Sequence, residues 1–102
     1  MSLPSEDMLR QRQYVRGGTA AISSSSGTVT LAAGKVYLIT SNVTPWYYNQ
    51  GGPSVAASAS VDFPWTAYTA LEFYAGESGE NMNTVAFVSP SSGIFSYMER
   101  KS

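Results

Sequence analysis

The sequence predicts an all-β protein: an antiparallel β-sandwich or jelly-roll-like barrel of seven to eight short strands, preceded by an N-terminal arm. Three observations lead to this fold class. Apolar and polar residues alternate with a period of two in most segments after Gly18. Clusters of Gly, Pro, Asn and Ser separate these segments at short intervals. Charge is scarce in the middle of the chain, where the only ionic residues between 17 and 98 are Lys35, Asp62, Glu72, Glu77 and Glu80.

The 102 residues are predicted to form one domain with an arm. Residues 1–18 are polar, rich in charge and closed by Gly17 and Gly18, so we assign them to an arm that is extended or forms a short helix. Met8 and Leu9 contribute to an apolar face that is too thin to hold a free helix. The arm is therefore expected to fray or to order against a neighbour, and residues 19–102 to form the β-sandwich domain.

Residues 20–23 and 28–31 are predicted to form the first two strands of this domain, with a polar turn of serines and glycine between them. In the second strand Val29 and Leu31 share one face, whereas threonines occupy the other. Such alternation is typical of a strand with one buried face.

Residues 35–40 and 43–48 are predicted to form the next two strands. The first is β-branched, aromatic and apolar on both faces, which suits a central strand. The second is aromatic but contains Pro45, which cannot donate a ladder hydrogen bond and so restricts it to an edge or a bulge. Residues 49–53 (NQGGP) are predicted to form a loop.

Residues 54–61 (SVAASASV) show the clearest alternation in the chain and are predicted to form a strand. Their small side chains on both faces indicate the close approach of another sheet or subunit. Residues 67–74 are also predicted to be a strand, because their aromatic residues and period outweigh the helix that Ala, Leu and Glu favour. The other segments are predicted as a turn over 62–65, a loop over 76–83, a strand over 84–89, a turn over 90–93 and a last strand over 94–99.

The composition excludes several kinds of active site. The chain contains no cysteine and no histidine, which removes thiolate nucleophiles, imidazole bases and most zinc sites. The body has few acidic residues from which a hydrolase could form its pair of carboxylates. Neither Gly17-Gly18 nor Gly51-Gly52 is followed by the Lys-Ser/Thr of a phosphate-binding loop. We therefore predict no enzyme: no catalytic residue, no metal ligand and no cofactor. A small hydrolase using Asp62, Glu72 or Glu77 is the enzymatic alternative.

The overall charge predicts neither a nucleic acid nor a membrane as partner. The net charge is −1 and the isoelectric point is about 5.1, so the chain has no general basic field to attract nucleic acid or anionic lipid. Its longest apolar segments fall well short of the ~20 residues that span a bilayer.

Two groups of aromatic residues are the strongest remaining signal. Trp46, Tyr47 and Tyr48 follow a proline, and Phe63 and Trp65 flank another. Large rings of this kind fill a core, anchor a protein interface at small entropic cost, or stack on sugar rings. The sequence leaves these three alternatives open.

The segment 27–40 (GTVTLAAGKVYLIT) is similar to the strand–Ala/Pro-Gly–strand unit of small jelly-roll and sandwich proteins of virions. With its Ser/Thr/aromatic body and separate charged arm, the chain resembles the head decoration (cement) proteins of tailed bacteriophages. This resemblance implies a small subunit, commonly trimeric, that lies over junctions of capsid subunits and clamps them with terminal arms. It carries over no catalytic residue.

We accordingly expect a structural virion protein that decorates and stabilises a phage capsid. Its expected partners are the major capsid (shell) protein and further copies of itself, as a trimer. It would be made in the host cytoplasm and located on the capsid surface of the virion. The residues expected to bind these partners are Met8, Leu9, Arg10, Arg12, Tyr14, Arg16, Trp46, Tyr48 and Trp65.

Three alternatives to a capsid protein stay open. The first is a carbohydrate-binding or receptor-binding module, as at the tips of tail fibres, which would expose Trp46 or Trp65 on a loop. The second is a structural component of a phage tail or baseplate. The third is a β domain with some other partner.

Overall fold

The computed structural model describes residues 14–101, which form two antiparallel sheets packed as a sandwich. The predicted all-β fold class is confirmed, and no helix occurs in this range. The strands are β1 (Tyr14–Ile22), β2 (Gly27–Thr30), β3 (Val36–Ser41), β4 (Tyr47–Gly51), β5 (Leu71–Tyr74), β6 (Thr84–Val88) and β7 (Gly93–Arg100).

The chain changes sheet at every connection. Odd-numbered strands form a four-stranded sheet in the order β1-β7-β3-β5, and even-numbered strands form a three-stranded sheet in the order β2-β6-β4. All neighbouring strands run antiparallel. Strands that follow each other in sequence therefore never pair, and every ladder joins segments that are distant in the chain.

The predicted boundary between arm and domain lies inside β1. Residues 14–18 pair with β7, and the register shifts between Val15 and Gly18. This shift is a bulge, at which a strand accommodates additional residues. A Cβ atom on Gly17 would overlap the backbone carbonyl of Tyr97, so the glycine allows the close approach of the two strands. Gly17 and Gly18, which were predicted to close the arm, therefore belong to the sheet. Residues 1–13 lie outside the described range.

Aromatic side chains fill the space between the sheets. Phe87 of β6 and Phe95 of β7 stack with ring centroids 4.1 Å apart and planes 5° apart. Trp46 meets the edge of Phe95, and Tyr48 meets the edge of Phe73, at centroid distances of 6.1 and 6.2 Å. Full burial of such a side chain contributes about 1.5–3 kcal/mol, so these rings are the main source of contact between the sheets.

The prediction of a strand over residues 54–61 is wrong. They run as an irregular segment along the outer face of the three-stranded sheet, where Val55 and Ala57 pack with Ala86 and Val88. All five residues of β6 are consequently buried, on both faces of the sheet. The close approach that the small side chains indicated is real, but it is made by a covering segment of the same chain.

Side-chain hydrogen bonds explain why this segment needs no ladder. The Ala57 N–H donates to Ser26 Oγ at 3.0 Å, and the Ser58 N–H donates to Asp62 Oδ2 at 2.7 Å. Serine and aspartate side chains commonly offer the backbone such local alternatives to a sheet. Alternation of small residues is therefore compatible with a loop when hydroxyls and carboxylates supply the partners.

The loop predicted over 49–53 is shorter than expected, because residues 49–51 continue β4. The Gln50 Nε2 group donates to two backbone carbonyl oxygens, of Tyr74 at 2.5 Å and of Met82 at 2.7 Å. This amide ties the edge of the three-stranded sheet to β5 of the other sheet. The strand predicted over 43–48 is wrong for residues 43–46, since β4 begins only at Tyr47, after Pro45. The predicted edge position is confirmed, because β4 is the last strand of its sheet.

The strand predicted over 67–74 is confirmed only for Leu71–Tyr74. Tyr68 has a φ of +64°, a left-handed conformation that interrupts an extended strand. The predictions over 28–31, 35–40, 84–89 and 94–99 correspond to β2, β3, β6 and β7, with β3 in the interior of its sheet.

Candidate functional site

The outer face of the four-stranded sheet is apolar and has no covering segment among residues 14–101. Leu38 pairs with Met98, and Thr40 pairs with Ser96, so these four side chains lie together on the face opposite the core. Ile94 continues the same face along β7; Ile94 and Met98 are 44% and 43% exposed. We call the surface formed by Leu38, Thr40, Ile94, Ser96 and Met98 the sheet face.

A shallow groove of about 190 Å³ runs over the sheet face, between Leu38, Thr40, Ser96, Met98 and Ala70. No lining residue is charged. At the border of the face, Arg100 Nη1 lies 3.3 Å from Glu72 Oε2, so the two neighbouring charges neutralise each other.

Charged residues gather at one end of the four-stranded sheet. Lys35, Arg100 and Lys101 line a small cleft of about 140 Å³ where β3 begins and β7 ends. Glu99 accepts a hydrogen bond of 3.4 Å from the Tyr37 hydroxyl. We call this region, with Lys35, Glu99, Arg100 and Lys101, the charged end. Charge is scarce along most of the sequence, and several of the charged side chains lie together at this end of the sheet.

The most exposed apolar side chains lie together in sequence between β4 and β5. Val61 is 81%, Phe63 66% and Tyr68 77% exposed. The ring of Phe63 contacts that of Trp65, with centroids 4.7 Å apart and planes tilted by 46°. We call Val61, Phe63, Trp65 and Tyr68 the aromatic loop. Exposed apolar clusters of this kind typically mark interaction sites.

Hydrogen bonds to backbone carbonyls fasten the aromatic loop to the sandwich. Trp46 and Trp65 exchange N–H···O bonds of 2.9 and 2.8 Å. The Trp46 Nε1–H donates to the Thr66 carbonyl at 3.0 Å. The Tyr68 N–H donates to the carbonyl of Ser41, the last residue of β3, at 2.8 Å. The loop therefore lies at the end of β3 opposite the charged end.

The aromatic residues predicted to bind partners have different positions in the structure. Trp46 is 0% exposed and belongs to the core, so its assignment to a partner surface is corrected: the ring is enclosed between the sheets and its indole N–H is already bonded. Tyr48 packs on the same core, and burial raises the pKa of its phenol. Trp65 is half-buried. It is bridged to Trp46 through the backbone and packs partly on the core, while its ring also contacts Phe63.

The arm residues predicted to bind partners lie mostly outside the described range. This applies to Met8, Leu9, Arg10 and Arg12. Tyr14 and Arg16 belong to β1, and Tyr14 pairs with Arg100 at the charged end. The described chain therefore begins beside the cations of β7.

Three of the four acids of the body have separate structural partners. Asp62 accepts from the Ser58 N–H, Glu72 pairs with Arg100, and Glu80 accepts from the Glu77 N–H at 2.6 Å. Residues 14–101 contain no group of three or more His, Cys, Asp or Glu side chains placed to hold a metal ion. Over the same range, no helix has the length and apolar character of a membrane span.

Several residues of the two surfaces were not identified from the sequence. These are Leu38, Ile94 and Met98 of the sheet face, and Val61 and Tyr68 of the aromatic loop. The sheet face could have been found from residues 35–40, which are apolar on both sides of the strand. Only one face of β3 lies in the core, so the other places apolar side chains on the surface. Comparisons with protein-family models, curated proteins and solved structures gave no match for this chain.

Proposed function

We propose that the protein is a structural virion component that associates with itself, as a trimer, and stabilises a phage capsid by binding shell subunits. The supporting observation is the uncovered sheet face. The chain covers the outer face of its three-stranded sheet with residues 54–61, whereas the described residues leave the other outer face open. An apolar sheet face in water is a typical surface for association.

A second copy of the chain is the occupant that fits the sheet face best. The groove is uncharged, and Arg100 and Glu72 at its border form an ion pair with each other. Two such faces can therefore meet without burying an unpaired charge, which would be costly. In a trimer, three sheet faces around a threefold axis would remove Leu38, Ile94 and Met98 from water.

The arm supplies the contact with the shell in this proposal. Residues 1–13 precede β1, which begins beside the charged end. Arg10 and Arg12 would pair with acidic groups of the shell protein, and Met8 and Leu9 would add apolar contact. Many copies on one particle make weak individual contacts sufficient, because neighbouring sites raise the effective concentration.

The self-association step is tested by placing a charge on the sheet face. Leu38→Glu and Met98→Glu should each yield monomers in sedimentation, because a carboxylate would be buried without a partner. Thr28→Glu is the matched control, since Thr28 is exposed on the other sheet and should leave the oligomer intact. A natural chain that is monomeric at every concentration tested would contradict this step.

The shell-binding step is tested with phage heads stripped of their decoration proteins. A chain containing residues 14–102 keeps all of β1 and should remain a folded oligomer, but it should no longer sediment with the heads. The deletion must end at residue 13, because removing Tyr14–Arg16 would also shorten the sheet. Equal binding by the shortened and full chains would reject the role of the arm.

A further inference from the structure

We infer that the aromatic loop is a second anchor on the shell: a preformed apolar projection that enters an uncharged pocket of the shell protein. This inference rests on the proposed function and adds the surface and the chemistry by which the body takes part. It concerns Val61, Phe63 and Tyr68, whose side chains project into solvent, and Trp65, which supports the ring of Phe63.

The exposure of these side chains is the first argument. No other large apolar side chain of residues 14–101 is more than 45% exposed, so the three most exposed ones lie within eight residues of each other. Interface hot spots are typically aromatic side chains that become fully desolvated in a partner's pocket. Phe63 and Tyr68 have this chemistry and nothing in the described chain covers them.

The conformation of the loop is the second argument. The loop is fastened through Trp46, which is fully buried, and through Ser41 at the end of β3. Tyr68 holds a left-handed backbone conformation with φ +64°, which L residues rarely adopt and which tends to persist at functional sites. A loop fastened at these points has less conformational freedom to lose on binding than an unattached one, and this favours affinity.

The composition of the loop favours a protein pocket over a sugar. Val61 is aliphatic and offers no ring face on which a sugar could stack. The Phe63 and Trp65 rings are tilted by 46° and do not form one flat platform. Asp62, the one acid nearby in sequence, already accepts from the Ser58 N–H. Apart from Asp62, the side chains of the projection are uncharged and mainly apolar, and such a surface is best matched by an apolar pocket.

The position of the loop suits a clamp. Tyr68 is bonded to the last residue of β3, whereas Lys35, at the charged end, precedes the first. Six strand residues at about 3.3 Å each separate the two ends by roughly 20 Å. β1, which follows the arm in the chain, begins at the charged end, so the start of β1 and the aromatic loop lie at opposite ends of the four-stranded sheet. A clamp of this kind would combine the arginines of the arm with the apolar side chains of the loop.

The decisive variant is Tyr68→Gly, because glycine removes the ring and also relieves the left-handed conformation. We expect the unfolding midpoint to stay unchanged or to rise, while the affinity for stripped heads falls at least about 30-fold.

Phe63→Ser should weaken binding similarly. Met82→Ser, which changes an apolar side chain of 39% exposure outside the loop, is the control and should bind normally. Each variant keeps the arm and the sheet face, so its oligomeric mass should match that of the natural chain.

Trp65 provides a direct readout, since it contacts Phe63 whereas Trp46 is enclosed in the core. Its fluorescence should shift to the blue when heads are added. Normal binding by Tyr68→Gly would overturn this inference and leave the proposed function standing, whereas a full chain that binds no heads would remove the proposed function itself. A shift produced by soluble oligosaccharides, with no shift from heads, would assign the loop to glycans and also overturn the inference.

Discussion

Trp46 and Trp65 face each other across an isolated antiparallel bridge, but only Trp46 is fully removed from water. The difference comes from the environment of each side chain. Trp46 lies between the sheets against Tyr48 and Phe95, whereas Trp65 packs on the border of the core and contacts the exposed ring of Phe63. Two aromatic residues that look equivalent in the sequence therefore have a structural and a surface role.

This difference predicts unequal costs of substitution. Trp46→Ala should lower the free energy of unfolding by about 3–5 kcal/mol, because it leaves a large cavity, whereas Trp65→Ala should cost clearly less. Trp46→Phe should lose the bond to the Thr66 carbonyl and cost less than the alanine variant. Urea denaturation followed by circular dichroism measures all three. Equal losses for the two alanine variants would contradict the assignment of Trp46 to the core.

One buried phenol, of Tyr37, and one partly buried phenol, of Tyr48, predict how stability depends on alkaline pH. Burial raises the pKa of Tyr37, and the nearby Glu99 carboxylate adds to this effect while the bond from the Ala32 N–H opposes it. Burial alone raises the pKa of Tyr48. Both phenols hold their protons more tightly in the folded chain than in the unfolded chain.

The contribution of these phenols to the free energy of unfolding is fully present below about pH 10, the ordinary tyrosine pKa. It is lost as the pH rises through the pKa values that the phenols have in the folded chain. Tyr48→Phe removes one of these groups, so its free energy of unfolding should fall less steeply above pH 10 than that of the natural chain. Urea denaturation at pH 8, 10 and 11 measures the slopes. Parallel slopes for the two proteins would show that Tyr48 does not contribute.

At the scale of single elements, the covering segment 54–61 depends on a few side chains. Asp62→Ala removes the acceptor for the Ser58 N–H and should lower the free energy of unfolding by about 1 kcal/mol. Hydrogen exchange at Ala57 and Ser58 should become faster, because both amides are fixed by side-chain oxygens. Asp62→Asn keeps an acceptor oxygen and should lie between the natural chain and the alanine variant. Unchanged exchange in Asp62→Ala would show that the carboxylate does not hold the segment.

The sequence predicts strands well where packing and alternation agree. The β2, β6 and β7 segments combine β-branched or aromatic residues with turn residues at both ends, and the structure contains them at the predicted places. The alternation of 54–61 does not lead to a strand, since Ala and Ser have little β propensity and the local side chains bond the backbone. An alternating pattern of period two therefore predicts a strand only where its residues also favour the β conformation.

The candidate surfaces could be predicted only in part, because each depends on which strands become neighbours. The sheet face joins β3 and β7, which are separated by more than fifty residues. Nothing local to either segment specifies that pairing. The pair Phe63–Trp65 was visible in the sequence, but the exposure of Tyr68 depends on a left-handed turn at a residue that seldom adopts one.

On the scale of the whole molecule, charge separates two kinds of contact. The sheet face and the aromatic loop are nearly free of charge, whereas Lys35, Arg100 and Lys101 line the charged end. The sequence of residues 1–13 adds Arg10 and Arg12. Salt screens exposed ionic contacts strongly, with a Debye length near 10 Å at 0.1 M, but does not screen apolar association.

Raising NaCl from 0.05 to about 0.5 M should therefore weaken binding of the full chain to heads while leaving the oligomeric mass unchanged. Sedimentation at several salt concentrations, with and without heads, gives both quantities. The 14–102 chain is the control and should show the same oligomer at every concentration. Dissociation of the oligomer by salt would contradict an apolar contact between subunits.

The alternation of the chain between its two sheets also has a consequence for synthesis. The four-stranded sheet needs β7 in its interior, between β1 and β3, and β7 follows all the other strands of residues 14–101 in the chain. In the same way, β2 and β4 cannot pair until β6 has been synthesised. During synthesis β1 and β2 thus stay unpaired until β7 and β6 exist, and topologies with such distant pairings fold slowly. Synthesis of β7, and not of any earlier strand, is the event that allows the four-stranded sheet to form.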